Sequence, residues 1–266
     1  MSVTTESRND PGTQHGWSEG ELENPHGHPD KPTKVRSMFA AIAGAYDLNN
    51  RVHSLGMDVL WRRAAVRAAD VKPGDAVLDV ACGTGDLTHT FAVRSPASHV
   101  VGCDFTPRML ALARRKQRRL PQSASPRVRY DIADAQRLPY PDRSFDVVSM
   151  AFGIRNVADP ASALRACARV LRPGGRLVIL EFETPRNPLV RRFNDLYAGR
   201  VMPITATLLS GDRSGAYRYL RKSVSSFMDR DALCEAIADA GFSRPSTREL
   251  SGGICVCYRA VRGNGR

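Results

Sequence analysis

A glycine-rich turn after the first predicted strand carries the residue types that could do chemistry. The segment from Leu78 to Thr88 reads LDVACGTGDLT, and its Gly83 and Gly85 permit positive φ and let a ligand lie against bare backbone. Ligands of parallel sheets bind beyond the carboxyl ends of the strands, where this turn lies. A dinucleotide fingerprint would need a third glycine at Thr88, and Asp86 would repel a pyrophosphate. The turn therefore favours a cationic ligand over a diphosphate.

Two further acids stand where the next strands end. Asp104 closes the second predicted strand, where a carboxylate can accept both hydroxyl protons of a ribose. Asp134 follows the third strand and could receive the amino group of an adenine. A nucleoside that carries a positive charge but no phosphates is S-adenosylmethionine. We therefore predict a site for S-adenosylmethionine, built from Asp79, Gly83, Gly85, Asp104 and Asp134.

Strands that alternate with helices must position these residues. Short apolar strands are predicted over 76–81, 100–103, 128–132, 145–150, 176–182 and 254–259, and the helices before them over 38–46 and 48–69. Thr106-Pro107 and Asp159-Pro160 each supply a helix N-cap followed by a proline at the first helical position. This alternation predicts an α/β fold with a doubly wound, mostly parallel sheet and helices on both faces.

Length and composition exclude several classes of protein. The 266 residues carry a formal charge of +12 within an ordinary globular composition. No apolar run approaches the ~20 residues that cross a bilayer, and the first residues do not resemble a secretory signal. The six cysteines form no CxxC pair, which argues against a zinc site or a disulfide framework. We expect a reduced, cytoplasmic setting and no metal.

The N-terminal residues differ from the rest in charge and composition. Residues 1–36 hold six acidic and four basic side chains, a net charge of −2, which leaves +14 on the remainder. They are rich in Pro, Gly, His, Asn and Ser without apolar periodicity, so we predict a disordered tail whose histidines are solvated rather than metal-binding. We predict one domain over 37–262, with 185–225 as an amphipathic helical lid.

Several segments resemble a known family of enzymes. The stretches DVACGTGDL and CDFTPRML look like class I S-adenosylmethionine-dependent methyltransferases. Residues 38–49, MFAAIAGAYDLN, are similar to the MFxxIAxxYDxxN opening of the quinone C-methyltransferases of menaquinone and ubiquinone biosynthesis, and Trp61-Arg62 matches the WR or WK after it. FGIRNV at 152–157 resembles FGLRNV, and RVLRPGGRLVILEF at 169–182 resembles RVLKPGGRLxxLEF. The resemblance runs from about residue 37 to 260, and FGxRNV together with YDxxN is its specific part.

The resemblance implies a fold, a reaction and further site residues. The sheet should have seven strands, six parallel and one antiparallel, and the enzyme should methylate a ring carbon of a prenylated quinol. The cofactor positions are Thr84, Asp104, Asp134 and Ala135, whereas Ala151 stands where some relatives have a binding serine, so we assign it no contact. Cys82 resembles the menaquinone-specific members, which favours demethylmenaquinol over a ubiquinone-pathway benzoquinol.

Carbon methylation needs a ring that has become nucleophilic. Phenols lose their proton near pH ~10, so a base or a positive field is required at neutral pH. In the family, Arg155, Asn156 and Tyr46 are implicated near the substrate. Arg155 would stabilise the phenolate as a permanent cation, and Asn156 and Tyr46 would hold a water or the quinol oxygen. An ordered water in this network is our candidate base; without such a role the three would be a member of an ion pair, a turn residue and a core residue.

Different functions and partners stay in view. The lid, with its basic rim, could meet anionic headgroups at the inner face of the cell membrane, or simply cap the sheet. An RNA methyltransferase would need a base-flipping motif or an RNA module, and neither is seen, so we expect no nucleic-acid partner. A small-molecule or sterol methyltransferase and a non-enzymatic nucleotide-binding protein are also compatible with the fold. The sequence leaves the isoprenoid length open, and a homodimer is one option for the assembly.

Overall fold

A computed structural model describes residues 17–18, 20–23, 25–197 and 216–263. Its helices are α1 Lys31–His53, α2 Met57–Ala69, α3 Asp86–Arg94, α4 Pro107–Gln117, α5 Pro160–Val170, α6 Pro188–Leu196, α7 Ala216–Ser225 and α8 Arg230–Asp239. Its strands are β1 Ala76–Val80, β2 His99–Asp104, β3 Val128–Ile132, β4 Phe145–Ala151, β5 Leu171–Phe182, β6 Ser246–Leu250 and β7 Cys255–Val261. Short 3-10 helices cover Ser125–Arg127, Ile154–Asn156 and Ser251–Gly253.

The strands form one sheet in the order β3-β2-β1-β4-β5-β7-β6. Strands β1 to β5 pair in parallel, and β7 runs antiparallel to both β5 and β6. The predicted seven-stranded sheet with one antiparallel strand is therefore confirmed. The chain order reverses direction between β1 and β4, which opens a crevice at the carboxyl ends of these strands.

Each face of the sheet packs against its own helices. Every residue of β1 is buried, as expected for a strand covered on both sides. On one face, Trp61 of α2, Phe91 of α3 and Leu110 of α4 join the core, and on the other face Leu164 of α5 and Ile237 of α8 do so. The apolar layers fix the strand ends and thereby the crevice between them.

The helices and strands at both ends of the chain differ from the prediction in detail. One helix is predicted over 48–69, but α1 and α2 are separate because Leu55 and Gly56 take positive φ values of 52° and 78°. Glycine adopts this conformation without a steric cost, so the break falls there. Strand β6 is not predicted, since the side chains of Ser246–Leu250 are largely exposed and show no apolar alternation.

The N-terminal boundary also differs from the prediction. Helix α1 begins at Lys31, inside the predicted tail of residues 1–36. Trp17 is buried, and its ring stacks on Tyr219 of α7 with centroids 4.5 Å apart. The described residues from Trp17 onward therefore pack on the domain, and residues 1–16 lie outside the described part of the chain.

The predicted lid over 185–225 is described in two pieces, α6 and α7, and residues 198–215 between them lie outside the described part. Along α6, Leu189, Phe193 and Leu196 are exposed at intervals of three or four residues, which places them along one side of the helix. In the described part of the chain, no helix combines the length and the apolar character needed to cross a membrane.

Candidate active site

A cleft lies at the carboxyl ends of β1, β2 and β4 and encloses about 750 Å³, its open mouth included. Its walls come from the glycine-rich turn after β1, the residues that follow β2, β3 and β4, and the cleft-facing side of α1. Ala81 and Phe152 directly follow β1 and β4 and have positive φ values of 52° and 58°. Such backbone strain is uncommon in residues with a side chain and concentrates at functional sites.

The two glycines of the turn have different structural roles. Gly83 has a positive φ, and the space where its Cβ would stand is open to at least 4 Å, so the turn offers room at the cleft wall. Gly85 begins α3 as its N-cap with a φ of 83°, and a Cβ there would collide with the hydroxyl group of Tyr130. Gly83 therefore leaves space for a ligand, and Gly85 permits close packing of the turn.

Asp104 ends β2 with its carboxylate at the cleft. The backbone N–H of Gly83 donates to its Oδ2 at 2.9 Å, and that of Thr106 donates to Oδ1 at 2.8 Å. Burial raises the pKa of Asp104 above its ordinary value. Because each oxygen keeps a further lone pair, the carboxylate can still accept two hydroxyl protons. This geometry suits the predicted contact with a ribose.

The residues after β3 form the next part of the wall. Asp134 is exposed and lines the cleft, and its Oδ1 accepts a hydrogen bond from the backbone N–H of Gln136 at 2.9 Å. Ala135 lines the cleft beside it, and Phe105 and Met109 add apolar surface. A flat base would find apolar contacts here and an acid at its edge.

Asp79 and Thr84 line a smaller pocket beneath the glycine-rich turn rather than the cleft itself. Asp79 is buried and does not line this cleft; it accepts hydrogen bonds from the hydroxyls of Thr88 at 2.6 Å and Ser149 at 2.9 Å. Burial raises the pKa of Asp79 to about 6. The Thr84 hydroxyl donates to Asp47 Oδ1 at 2.5 Å. Both residues hold the glycine-rich turn against its neighbours.

A smaller pocket continues from the cleft beneath the glycine-rich turn and carries charges of both signs. Arg62 lines it and pairs with Asp58, and its Nη2 lies 3.7 Å from Asp86 Oδ2. Lys116 pairs with Asp86 and with Asp47, the latter at 2.6 Å. Asp86 is therefore balanced by cations, which weakens the argument that it repels a pyrophosphate. Sequence reasoning missed Arg62 and Lys116 as site residues, although the family resemblance includes Arg62.

At the opposite end of the cleft, Tyr46 and Asn156 come together with aromatic side chains. Asn156 ends the 3-10 turn after β4; its Nδ2 donates to the carbonyl of Phe152 at 3.1 Å, and its Oδ1 accepts from the Tyr219 hydroxyl at 3.1 Å. Tyr46 contacts Phe39 edge to face at 5.8 Å. Burial raises the pKa of Tyr46, so its phenol is a neutral donor. Both predicted residues line the cleft, and Tyr46 also lines the smaller pocket.

Arg155 does not line the cleft, unlike the predicted arrangement. Its side chain is buried, pairs with Glu181 of β5 and donates to the carbonyl of Phe152 at 3.0 Å. Its Nε also donates to the Ser223 hydroxyl at 3.3 Å. These bonds direct the guanidinium to protein groups rather than to the cleft. Arg155 is thus a buried ion-pair partner that fixes the turn carrying Asn156.

Comparison with known proteins gives a consistent result. The model of the ubiE/COQ5 methyltransferase family matches residues 28–262. The chain is 42% identical to the ubiquinone/menaquinone biosynthesis C-methyltransferase UbiE of Ectopseudomonas mendocina, over 87% of this chain and 90% of that protein. It is also 42% identical to the demethylmenaquinone methyltransferase of Clavibacter sepedonicus, over 89% of this chain and 93% of that protein.

Solved structures share the fold at low sequence identity. A SAM-dependent methyltransferase from Aquifex aeolicus superposes with a TM-score of 0.54 at 18% identity, covering 75% of this chain and 88% of that one. The phosphoethanolamine N-methyltransferase 2 of Haemonchus contortus, in complex with S-adenosyl-L-methionine, superposes with a TM-score of 0.54 at 16% identity, covering 74% and 51%. At these identities the likeness concerns the fold alone.

Proposed function

The chain belongs to the ubiE/COQ5 methyltransferase family and is an S-adenosylmethionine-dependent C-methyltransferase, and from this premise we propose that it methylates demethylmenaquinol to menaquinol. The observation that carries the proposal is the two-ended cleft. One end, here called the nucleoside end, presents Asp104 and Asp134. The other, here called the quinol end, presents Tyr46 and Asn156 among aromatic side chains. A nucleoside and a flat quinol ring would meet between them.

The residues of the first end fit S-adenosylmethionine on three structural grounds. The Asp104 carboxylate is fixed by two backbone N–H groups with lone pairs to spare, and the Cβ position of Gly83 is open. The smaller pocket, with Arg62 and Asp86, suits the carboxylate and ammonium groups of an amino acid. When bound, S-adenosylmethionine supplies an electrophilic methyl group on a positively charged sulfur. We assign Asp104 and Gly83 to the ribose, Asp134 and Ala135 to the adenine, and the smaller pocket to the amino-acid end.

Tyr46 and Asn156 are proposed to prepare the quinol. A ring carbon becomes nucleophilic as the neighbouring hydroxyl loses its proton, and hydrogen-bond donors in the cleft would stabilise the resulting anion. Tyr46 is a neutral phenol that can donate to that oxygen, and the Asn156 amide can orient it or hold the water that takes the proton. The charge of Arg155 is paired with Glu181, and its side chain donates to the carbonyl of Phe152. Arg155 is therefore assigned to holding the turn that carries Asn156 rather than to contact with the quinol.

A second substrate is favoured by one specific observation. The relative from Ectopseudomonas mendocina is named for both ubiquinone and menaquinone biosynthesis, so a benzoquinol is the second candidate. We expect the naphthoquinol to be preferred, on the weaker signal of Cys82 in the glycine-rich turn.

The test is an assay of both demethylated quinols side by side, kept reduced, with S-adenosylmethionine labelled in its methyl group. Label should enter the naphthoquinol ring with the higher kcat/KM. A higher kcat/KM for the benzoquinol would reverse the assignment between the two pathways. Label in neither quinol would refute the proposed substrate class.

We also propose contact with an anionic membrane surface through α6. Leu189 and Phe193 are 78% and 66% exposed, and Arg191 and Arg192 stand beside them. A prenylated quinol resides in the bilayer, and an exposed apolar side with a basic rim is the pattern that binds anionic headgroups. This surface would bring the enzyme to its substrate.

A further inference from the structure

The described residues between Trp17 and Asp30 form a segment, here called the strap, that packs beside the quinol end of the cleft. Only its last three residues fall within the matched family region, residues 28–262. Trp17 stacks on Tyr219, and the Nζ of Lys34 lies 5.6 Å from the centroid of the Trp17 ring. A segment that lies largely outside the matched region thus touches a residue that is bonded to Asn156.

Lys31, directly after the strap, is a buried cation held by three acceptors. Its side chain donates to the carbonyls of Arg155 at 3.0 Å and Val157 at 2.6 Å, and its Nζ lies 3.2 Å from His26 Nδ1. His26 Nε2 lies 3.0 Å from the carbonyl of Ser223, so Nε2 carries the proton and Nδ1 is the acceptor. An ammonium group has three donors, and all three are used here.

Burying the ammonium group of Lys31 costs free energy, so specific acceptors are needed to hold it there. Burial, and then the charge of Arg155, lower the pKa of Lys31 to about 8. Burial likewise lowers the pKa of His26, which fits the neutral, accepting imidazole. Buried charges are tolerated where specific acceptors compensate them. Two of the three acceptors of Lys31 are backbone groups of a single turn.

That turn carries Asn156, whose amide side chain is proposed to orient the quinol. The carbonyls of Arg155 and Val157 stand on either side of Asn156, so Lys31 fixes the backbone before and after it. Trp17 supports the same residue by a second route, through Tyr219, whose hydroxyl donates to Asn156 Oδ1. The backbone and the side chain of Asn156 are therefore both held from the strap side.

We propose that Lys31, held by His26 of the strap, is a positioning residue that sets Asn156 in the cleft for methyl transfer. The inference rests on the proposed function, since it assumes that Asn156 orients the quinol. It predicts that loss of Lys31 slows turnover while leaving the cofactor end of the cleft intact. Misplacement of a substrate-orienting group by ~1 Å can lower a rate by about 100-fold.

The test compares Lys31→Met with Arg36→Met in the full chain. Both basic residues lie on α1, but Arg36 is exposed, whereas Lys31 is buried and reaches the turn. We expect Lys31→Met to lower kcat at least about tenfold, with the quinol KM and the cofactor Kd changed less than about threefold. Arg36→Met should keep kcat within about threefold of the wild type. Equal kcat values for the two variants would overturn the proposal.

Hydrogen exchange supplies a readout that needs no substrate. The backbone N–H groups of Asn156 and Val157 donate within the turn to the carbonyls of Gly153 and Ile154. Both should exchange faster in Lys31→Met than in Arg36→Met or the wild type. Unchanged exchange in Lys31→Met would overturn the inference even if the wild type methylates neither quinol. A failure of the proposed function is thereby distinguished from a failure of the Lys31 inference. Quinol turnover by the wild type tests the function alone, whereas hydrogen exchange tests the inference alone.

A milder variant covers the case in which Lys31→Met does not fold. His26→Ala removes one of the three acceptors of Lys31 and leaves the two backbone bonds in place. We expect kcat to fall by less than about tenfold relative to the wild type. The backbone amides of the turn should exchange faster than in the wild type. Wild-type kcat and exchange in His26→Ala would contradict the role given to the strap.

Discussion

The nucleoside end and the quinol end of the cleft are built in opposite ways. The nucleoside end comes from the turns that follow three parallel strands, and backbone N–H groups fix its key carboxylate, Asp104. The quinol end is assembled from α1, the strap, α7 and the 3-10 turn, which are far apart in sequence. The first end is a property of the sheet edge, whereas the second depends on side chains that hold separate segments together.

Each end also depends on buried charge. At the nucleoside end, Asp79 is buried between two hydroxyl donors, and at the quinol end Arg155 is paired with Glu181. The first charge is hydrogen-bonded to neutral groups, and the second is met by an opposite charge. The two arrangements should therefore respond differently to substitution and to pH.

The largest effect is expected from Arg155→Ala, which leaves the Glu181 carboxylate buried without its partner. Breaking a buried pair in this way costs about 3–5 kcal/mol of unfolding free energy. The double substitution Arg155→Met with Glu181→Met removes both charges and should cost clearly less. Denaturant unfolding of the three proteins measures this difference, and wild-type stability of Arg155→Ala would contradict the buried pair.

A pH-dependent effect is expected from Asp79→Asn. The pKa of Asp79 is raised from 3.8 to about 6 in the folded protein, so the wild type loses stability as pH rises between these values. The asparagine does not ionise, and it should be more stable than the wild type by up to about 3 kcal/mol above pH 6, an advantage that disappears near pH 4. Denaturant unfolding at both pH values checks this. An advantage of equal size at both would contradict the assigned burial effect.

A smaller and more local effect is expected from Asp104→Ala. Loss of the carboxylate removes hydrogen bonds to a ribose worth about 1.5–3 kcal/mol, so cofactor affinity should fall about 10–100-fold. The quinol KM should change little, because the other end of the cleft is assembled independently. Calorimetric titration with S-adenosylhomocysteine gives the affinity, and Asp131→Ala, on β3 outside the cleft walls, is the matched control. Equal losses of cofactor affinity in Asp104→Ala and Asp131→Ala would contradict the placement of Asp104 in the cofactor site.

The smallest effect concerns the exposed apolar side of α6. Phe193→Ser removes one exposed ring and should reduce pelleting with anionic liposomes about two- to fivefold, without a change in cofactor affinity. The exposed Val93 on α3 gives the control substitution Val93→Ser. Equal pelleting of the wild type with neutral and anionic vesicles at low salt would contradict the electrostatic part of the contact.

The contrast between the two ends also explains what the sequence could predict. Gly83, Gly85, Asp104 and Asp134 follow strands at fixed positions, so a local pattern is enough to place them at one edge of the sheet. The partner of Arg155 could not be read locally, since Glu181 lies 26 residues away and meets it only through the pairing of β4 with β5.

The strap shows why composition misleads the prediction for residues 17–36. Polar residues, proline and glycine dominate there, which is typical of disorder. Two apolar side chains, Trp17 and Leu22, nevertheless join Val35 and Met38 of α1 in one buried cluster. Isolated apolar residues give no periodic pattern in the sequence. Whether such a segment is ordered therefore depends on its tertiary contacts, which the sequence does not show.

The central claim is that quinol methylation takes place between these two ends, with Asn156 orienting the ring. The most direct test measures transfer of labelled methyl to reduced demethylmenaquinol by the wild type and by Asn156→Ala, together with their cofactor Kd values. We predict labelled menaquinol from the wild type, and for Asn156→Ala an unchanged Kd with a kcat lowered at least about tenfold. Wild-type kcat in Asn156→Ala, or no labelled product from the wild type, would contradict the account.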